Sequence, residues 1–396
     1  MVLYLRQPLT WVVPLQIANR AGRYVKQAAG YSAFIPKPLP PDPPLEFDVE
    51  LQALLSQADR TLGRLDGSVQ TLPDPDLFVL MYVRKEAVLS SQIEGTQSSL
   101  NDLLEAEAKI HDVERPKDVV EVLNYASAMS NGLQRLAELP VSVRLVREIH
   151  EELLKEVRGA HRQPGELRRS QNWIGPPGAT LQDAVFVPPP PEELGDALGA
   201  WERFLHANDS MPILLKIGLA HAQFETIHPF LDGNGRVGRL LITFLLCERG
   251  ILLKPVLYLS YYFRKNREKY YALLQSIRDR GDWEAWLKFF LTGVSEVSLE
   301  ATDTARRIVE LRERHRQLVT DNFGRVAGNG LRVLEALYRR PIIAVKGIVE
   351  LTGVSFTAAN QLMNKFVQNG ILHEETGQTR NRRFSYSDYI DLFAKQ

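Results

Sequence analysis

A mainly α-helical protein with one β-hairpin and a small separate module at its C-terminal end is the fold class that the sequence predicts. From Asp48 onward apolar residues recur at spacings of three and four, the period of a helix face. Two short apolar stretches flank a Gly/Pro turn between residues 164 and 187, which reads as a hairpin. The last seventy or so residues carry their own apolar helices. A chain of 396 residues is long enough for two or three domains.

Residues 1–45 are extended in character. They end in Ile35-Pro-Lys-Pro-Leu-Pro-Pro-Asp-Pro-Pro, which lacks the backbone donors of a helix and is expected to pack along the surface. Leu51, Leu54 and Leu55 begin one amphipathic helix; Leu77, Leu80, Met81, Arg84 and Val88 mark the next, with Gly95 as its terminator. Further helices are predicted at 119–137, 142–157, 192–207, 212–227, 236–249, 265–279 and 282–294. After Val297 the charged run Arg306-Arg-Ile-Val-Glu-Leu-Arg-Glu-Arg-His-Arg reads as a helical connector.

Composition is that of an ordinary globular protein, 44% hydrophobic and 24% charged. Formal net charge is zero, so no global attraction to nucleic acid or a membrane surface follows. No apolar run approaches the ~18 residues of a membrane span and no signal-peptide pattern opens the chain, so a cytoplasmic protein is expected. The single cysteine, Cys247, lies in an apolar helical stretch and leaves no disulfide within a monomer, as in a reducing compartment.

The chemistry is concentrated in His228-Pro-Phe-Leu-Asp-Gly-Asn-Gly-Arg-Val-Gly-Arg239. A glycine-rich turn opening a helix offers free N–H groups and the positive end of the helix dipole, a pocket for anions. Arg236 and Arg239 lie three apart and can point from one helix face at the same phosphates. Asp232 is a hard oxygen ligand suited to Mg²⁺ whose shell phosphates complete. Gly233–Gly238 also fits G-x-G-x-x-G, but Ile213, Ile217, Ala220, Phe224 and Ile227 before it have helical spacing, whereas a dinucleotide fold needs a strand there. No phosphate-binding G-x-x-x-x-G-K-[ST] run occurs. His221 lacks further metal ligands at short spacing, and His150-Glu151 does not extend to H-E-x-x-H.

Every defining position of residues 228–239 matches H-x-F-x-[DE]-G-N-G-R-x-x-R, and the segment resembles the signature of Fic proteins. The resemblance implies transfer of AMP from ATP to a Ser, Thr or Tyr hydroxyl of a target protein, including the enzyme itself, with release of pyrophosphate. It implies His228 as general base and Asp232 as the Mg²⁺ ligand. Gly233, Asn234, Gly235, Arg236, Val237, Gly238 and Arg239 would form the nucleotide-binding set. Asn234 and the loop amides would hold developing charge, while the two arginines would grip the β- and γ-phosphates. Transfer of another phosphate-containing group, or removal of AMP, stays open.

Upstream, Ser90-Ser-Gln-Ile-Glu94-Gly95 resembles the inhibitory motif [ST]-x-x-x-E-[GN] of many Fic proteins. Ser90 and Glu94 share a helix face, and a carboxylate at a helix C-terminus is electrostatically misplaced unless it has a partner elsewhere. The resemblance makes that partner Arg239. By the same likeness the hairpin is the flap that aligns a target, with Trp173, Ile174 and Phe186 as candidates for target contact or core. Tyr270 and Tyr271 would shape the adenine pocket or simply pack.

The C-terminal residues read as three helices (331–337, 345–354, 356–367) followed by a two-stranded wing, and they resemble a winged helix-turn-helix. Residues 326–396 hold nine Lys/Arg against six Asp/Glu, a weak basic bias. The presumed reading helix offers Lys365 alone as a cation, with Asn360, Gln361 and Asn364 for bases and Arg380, Arg382 and Arg383 for a backbone, so weak DNA binding competes with protein contact or homodimerisation. The expected organisation is thus a Fic-associated region with the inhibitory helix (1–110), a Fic catalytic core (111–300), a helical connector (301–325) and the winged-helix module (326–396).

Overall fold

The computed structural model describes residues 19–70, 72, 74–108, 117–157, 163–176, 178–378 and 382–394. The first eighteen residues of the expected extended segment, Pro177 of the expected turn, and Arg380 and Lys395 of the C-terminal charge count lie outside the described residues.

Two antiparallel strands come first, β1 (Gly22–Lys26) and β2 (Ser32–Pro36), in register from Gly22 opposite Pro36 to Lys26 opposite Ser32. Extended character was legible there; the pairing was not. It is fixed by burial of Ala33 and Phe34 and by the Phe34 amide, which donates to the Val187 carbonyl at 2.9 Å. Then follow α1 (Val49–Gln70), α2 (Pro75–Ile93), α3 (Leu100–Glu107), α4 (Lys117–Arg135), α5 (Val143–Leu153) and α6 (Leu194–His206). Next come α7 (Ile213–Ile227), α8 (Asn234–Glu248), α9 (Ser260–Lys265), α10 (Arg267–Arg280) and α11 (Trp283–Asn322).

Helix α7 is buried from Leu214 to Ile227, so it is a central rather than an amphipathic surface helix. It packs against α6, α8 and α11. The helix predicted over 282–294 continues through the charged connector as one 40-residue helix, whose first half is core and which packs against α1, α7 and, further on, α12 and α15. The predicted hairpin is reduced to one antiparallel bridge between Ile174 and Phe186. The reason is chemical: Pro188 to Pro191 follow directly and offer no N–H to extend a ladder.

The C-terminal part comprises α12 (Ala327–Leu337), β3 (Ile342–Ala344), α13 (Val345–Thr352), α14 (Phe356–Gln368), β4 (His373–Glu374), β5 (Arg383–Ser385) and α15 (Ser387–Ala394). Its sheet has three strands in the order β3-β5-β4, one more than the predicted two-stranded wing, and α15 was not foreseen. This part packs on α11 and also touches α2 and α3. Arg84 of α2 donates to the Arg339 carbonyl at 3.1 Å, the Tyr82 ring meets Phe393 edge-on at 5.4 Å, and Arg383 pairs with Glu105 of α3 at 3.0 Å. Among the described residues no helix is long and apolar enough to cross a membrane.

Candidate active site

Helix α7 ends at Ile227, and His228 turns the chain with left-handed backbone angles, φ 49° and ψ 60°. Such angles are unfavourable for a side chain with a Cβ and need outside support. Here the support is visible. Arg168 Nε donates to the His228 carbonyl at 2.9 Å, the Arg168 amide donates to Pro229 O at 3.0 Å, and Asn172 Nδ2 donates to Phe230 O at 2.7 Å. Asn234 then folds its own loop: its Oδ1 accepts from the Phe230 amide at 2.9 Å and its Nδ2 donates to the Phe230 carbonyl at 2.8 Å. Both ends of the Asn234 amide therefore bond within the loop, and its side chain braces the turn.

Below the loop His150 supplies a second prop. The Gly165 amide donates to Nδ1 at 2.9 Å, which leaves the proton on Nε2, and Nε2 donates to the Asp232 carbonyl at 3.0 Å. Its ring stacks on Phe230 with centroids 3.7 Å apart. Burial holds its pKa down to about 4, so it is neutral and does not titrate near pH 7. His221 is likewise structural. It bridges the Gly238 carbonyl and the Tyr270 hydroxyl, each at 2.9 Å, and burial pushes its pKa down to about 3.

The two signature arginines are both engaged by glutamates from other helices. Arg239, 3% exposed, donates from Nε to Ser90 Oγ at 2.8 Å and from Nη2 to the Ser90 carbonyl at 3.1 Å and Glu94 Oε1 at 2.7 Å. Arg236 pairs with Glu121 of α4 at 3.3 Å and with Asp232 at 3.6 Å. Burial opposes the Glu94 charge, yet Arg239 and Arg236 more than offset it and hold its pKa below the usual carboxylate value. Glu94 caps the C-terminal end of α2, and its carboxylate lies instead against the first turn of α8, the positive end of another helix. A Cβ at residue 235 would stand 2.3 Å from Glu94 Oε1, so glycine is what admits the carboxylate. Gly238 performs the same service for Glu225, whose Oε1 would meet a Cβ at 2.5 Å.

Glu94, Glu225, His228, Gly235, Arg239, Tyr270 and Tyr271 line one cavity of about 470 Å³, of a size suited to a nucleotide, whereas Asp232, Asn234 and Arg236 do not line it. The flap bridge residues Ile174 and Phe186 and the half-exposed Trp173 and Val185 form its rim. Tyr270 is buried and bonded to His221, whereas Tyr271 keeps 39% of its surface exposed beside Arg267. Burial first, then the Arg278 and Arg168 charges, push the His228 pKa down to about 3, so its ring is neutral. Glu225, 6% exposed with Oε1 unpartnered, is pushed up to about 7 by burial.

For a metal, the fit is that of a shared site. Asp232 is 39% exposed, its Oδ1 accepts from the Gly233 amide at 2.7 Å, and among the described residues no cluster of three or more His, Cys, Asp or Glu could hold an ion alone. A single carboxylate beside an anion pocket suits a cation that brings phosphates with it. Val237 is wholly buried in the first turns of α8 and contributes backbone and packing only.

Glu121, Glu225, Arg168, Asn172, His150 and Arg278 are site residues that the sequence reading missed. Local pattern carries no signal for them, since Glu121 meets Arg236 across 115 residues and Arg168 meets His228 across 60.

Comparison with known proteins gives residues 52–134 as Fic/DOC family N-terminal and residues 140–246 as Fic/DOC family. A probable protein adenylyltransferase of Aquifex aeolicus is 28% identical over 208 residues, 51% of this chain and 57% of that protein. The protein adenylyltransferase Fic of Culex quinquefasciatus is 33% identical over 144 residues, 36% of this chain and 25% of that protein. The chain thus spans little more than half of the first relative and a quarter of the second. A Fic family protein from Desulfovibrio desulfuricans G20 shares the fold, with a TM-score of 0.56 and 18% identity over 87% of this chain and 97% of that one. Ser90 and Glu94 fall inside the first matched segment and His228 to Arg239 inside the second, and the chain is a Fic/DOC family protein, distantly homologous to protein adenylyltransferases.

Proposed function

We propose that this protein is a protein adenylyltransferase that moves AMP from ATP to a hydroxyl of a target protein or of itself, and that Glu94 restrains it in cis. The observation that carries the reading is the convergence of His228, Gly235 and Arg239 on one cavity with Glu94 seated on Arg239. In the reaction His228 takes the proton of the attacking hydroxyl. The hydroxyl oxygen bonds to the α-phosphorus, the bond from that phosphorus to the bridging oxygen breaks, and pyrophosphate leaves. The first turn of α8 and Arg239 receive the phosphates, Arg236 lies 3.6 Å from Asp232, and the buried Asn234 braces the loop through its bonds to Phe230. Mg²⁺ held by Asp232 and the phosphates would neutralise charge on the leaving group.

Glu94 competes for the same guanidinium. It stands against the helix turn where a γ-phosphate would place its charge, and while it holds Arg239 the phosphate tail cannot take its productive position. Incubation of the Glu94→Gly protein with ATP and Mg²⁺, followed by intact-mass measurement, tests the reading. Addition of AMP to the protein or to a lysate target supports it; addition of phosphate alone, or loss of AMP from a modified target, points to the other Fic chemistries; no mass change with bound nucleotide defeats it.

The four-part organisation, with 1–110, 111–300, 301–325 and 326–396 as units, is our proposed division, and the last is read as a winged helix. We propose protein contact or dimerisation for that module ahead of DNA. Lys365, the one cation of the presumed reading helix, is turned back to the Asn322 carbonyl at 3.3 Å, and Phe356 is 63% exposed on the outer face. A salt-independent mobility shift, or none, accords with this; a steep salt slope would restore the DNA reading.

A further inference from the structure

The turn at His228 has left-handed backbone angles, and one side chain holds the carbonyls on either side of it. Arg168, in the segment between α5 and α6, is 2% exposed. Its Nε donates to the His228 carbonyl at 2.9 Å, and its Nη2 donates to the Ile227 carbonyl at 3.4 Å and to Pro189 O. The Arg168 amide adds a bond to the Pro229 carbonyl at 3.0 Å. The remaining Nη1 is buried without a partner, so the guanidinium is held by the carbonyls of Ile227 and His228 and by that of Pro189.

The placement follows from the chemistry of a helix end. The last carbonyls of α7 have no intrahelical donors and lie at the negative end of its dipole, which a cation stabilises. Arginine meets two such carbonyls with one rigid fork, which lysine cannot do. Asn172 contributes as well, with bonds to the carbonyls of His228 at 3.4 Å and Phe230 at 2.7 Å. The imidazole lines the cavity, whereas Arg168 does not.

We infer that Arg168 is the positioning residue of His228: its fork onto the Ile227 and His228 carbonyls locks the left-handed turn that aims the imidazole into the cavity. The inference rests on the reading of His228 as the base of a transfer reaction. Since Arg168 touches neither the cavity nor the arginines that would hold phosphates, its loss acts on the proton-accepting step and not on nucleotide binding.

The test uses the full chain with Glu94→Gly, and Arg168→Lys and Arg168→Ala in that background. Transfer rates at varied ATP, binding of a fluorescent ATP analogue, and hydrogen exchange resolved by peptide are measured together. Arg168→Ala is expected to lower kcat at least tenfold with KM for ATP within about twofold, Arg168→Lys to fall between, and exchange to rise in the peptide spanning 224–233 while peptides of α1 and α11 stay unchanged. Unchanged kcat, a parallel loss of nucleotide affinity, or exchange rising throughout the chain would each overturn it; the last would mean a role in stability only. If Arg168→Ala does not fold, Arg168→Lys carries the same comparison. If the Glu94→Gly parent transfers nothing, the proposed activity fails, and exchange of 224–233 still decides the positioning role.

Discussion

Glu94 Oε1 lies 2.7 Å from Arg239 Nη2, although 145 residues separate them in the chain. The pair is asymmetric: the Arg239 side chain is 2% exposed and Glu94 33%, so the glutamate is the member free to leave. Glu94→Gly should therefore raise auto-modification well above the parent. Arg239→Ala should lower it, and adding Glu94→Gly to Arg239→Ala should restore little, because the group to be released is gone. Rates for all four proteins decide the matter; equal stimulation in both backgrounds would mean that Glu94 acts elsewhere.

His228→Ala is expected to abolish transfer while leaving nucleotide affinity within a few-fold, since the α8 turn and Arg239 remain. The pKa of His228 is pushed down to about 3, so the base is already deprotonated at pH 5. Transfer by the Glu94→Gly protein should consequently show no acid limb near the ordinary histidine value of ~6.5. A fall in kcat centred there would assign the base to another group or a more hydrated state.

Asp232→Ala should remove activity together with its Mg²⁺ dependence, because no other clustered carboxylates stand ready among the described residues. Titration of Mg²⁺ against transfer by the variant provides the check. Retained, Mg²⁺-dependent turnover would move the ligand to a different residue.

Glu225 offers a prediction about stability. Burial raises its folded pKa from 4.5 to about 7, so its contribution is fully present below the unfolded value and is lost as pH climbs through 7. Glu225→Gln lacks that loss. Relative to the parent it should gain stability between pH 5 and pH 8, by on the order of 3 kcal/mol at most given ~1.4 kcal/mol per pKa unit. Urea midpoints at the two pH values measure it, and a pH-independent difference would show that the carboxyl is ionised in the fold.

Helix α2, which leads to Glu94, is packed against the C-terminal part of the chain, so truncation should reach it. Phe393 is 2% exposed and meets the Tyr82 ring, while Arg84 reaches the Arg339 carbonyl. Phe393→Ala should cost about 3 to 5 kcal/mol. Removal of residues 326–396 should strip the cover from Tyr82 and Phe78 and loosen α2, so the truncated chain is expected to melt lower than the parent. Thermal melts of both proteins settle it; an unchanged midpoint would show that α2 stands without the module.

The sequence alone determined the helical class, the position of the glycine-rich turn and the candidates His228, Asp232, Arg236, Arg239 and Glu94, because each is written in local spacing or in a contiguous motif. Tertiary structure decided what each one touches. No pattern within reach of a helical period could place Glu121 on Arg236, Arg168 on the His228 turn or Glu225 behind Gly238, since those contacts join different segments of the chain and exist only after α4, α7 and α8 pack. The same holds where local reading went astray. The flap has apolar stretches fit for strands, but its prolines withhold the donors a ladder needs; the β1–β2 pair looks like featureless extended chain until Phe34 finds its place beside Phe186. Asn234 reads as a polar ligand in the motif, and only the fold reveals that both ends of its amide are already used on Phe230. Residue chemistry fixes which interactions are available, and packing selects among them.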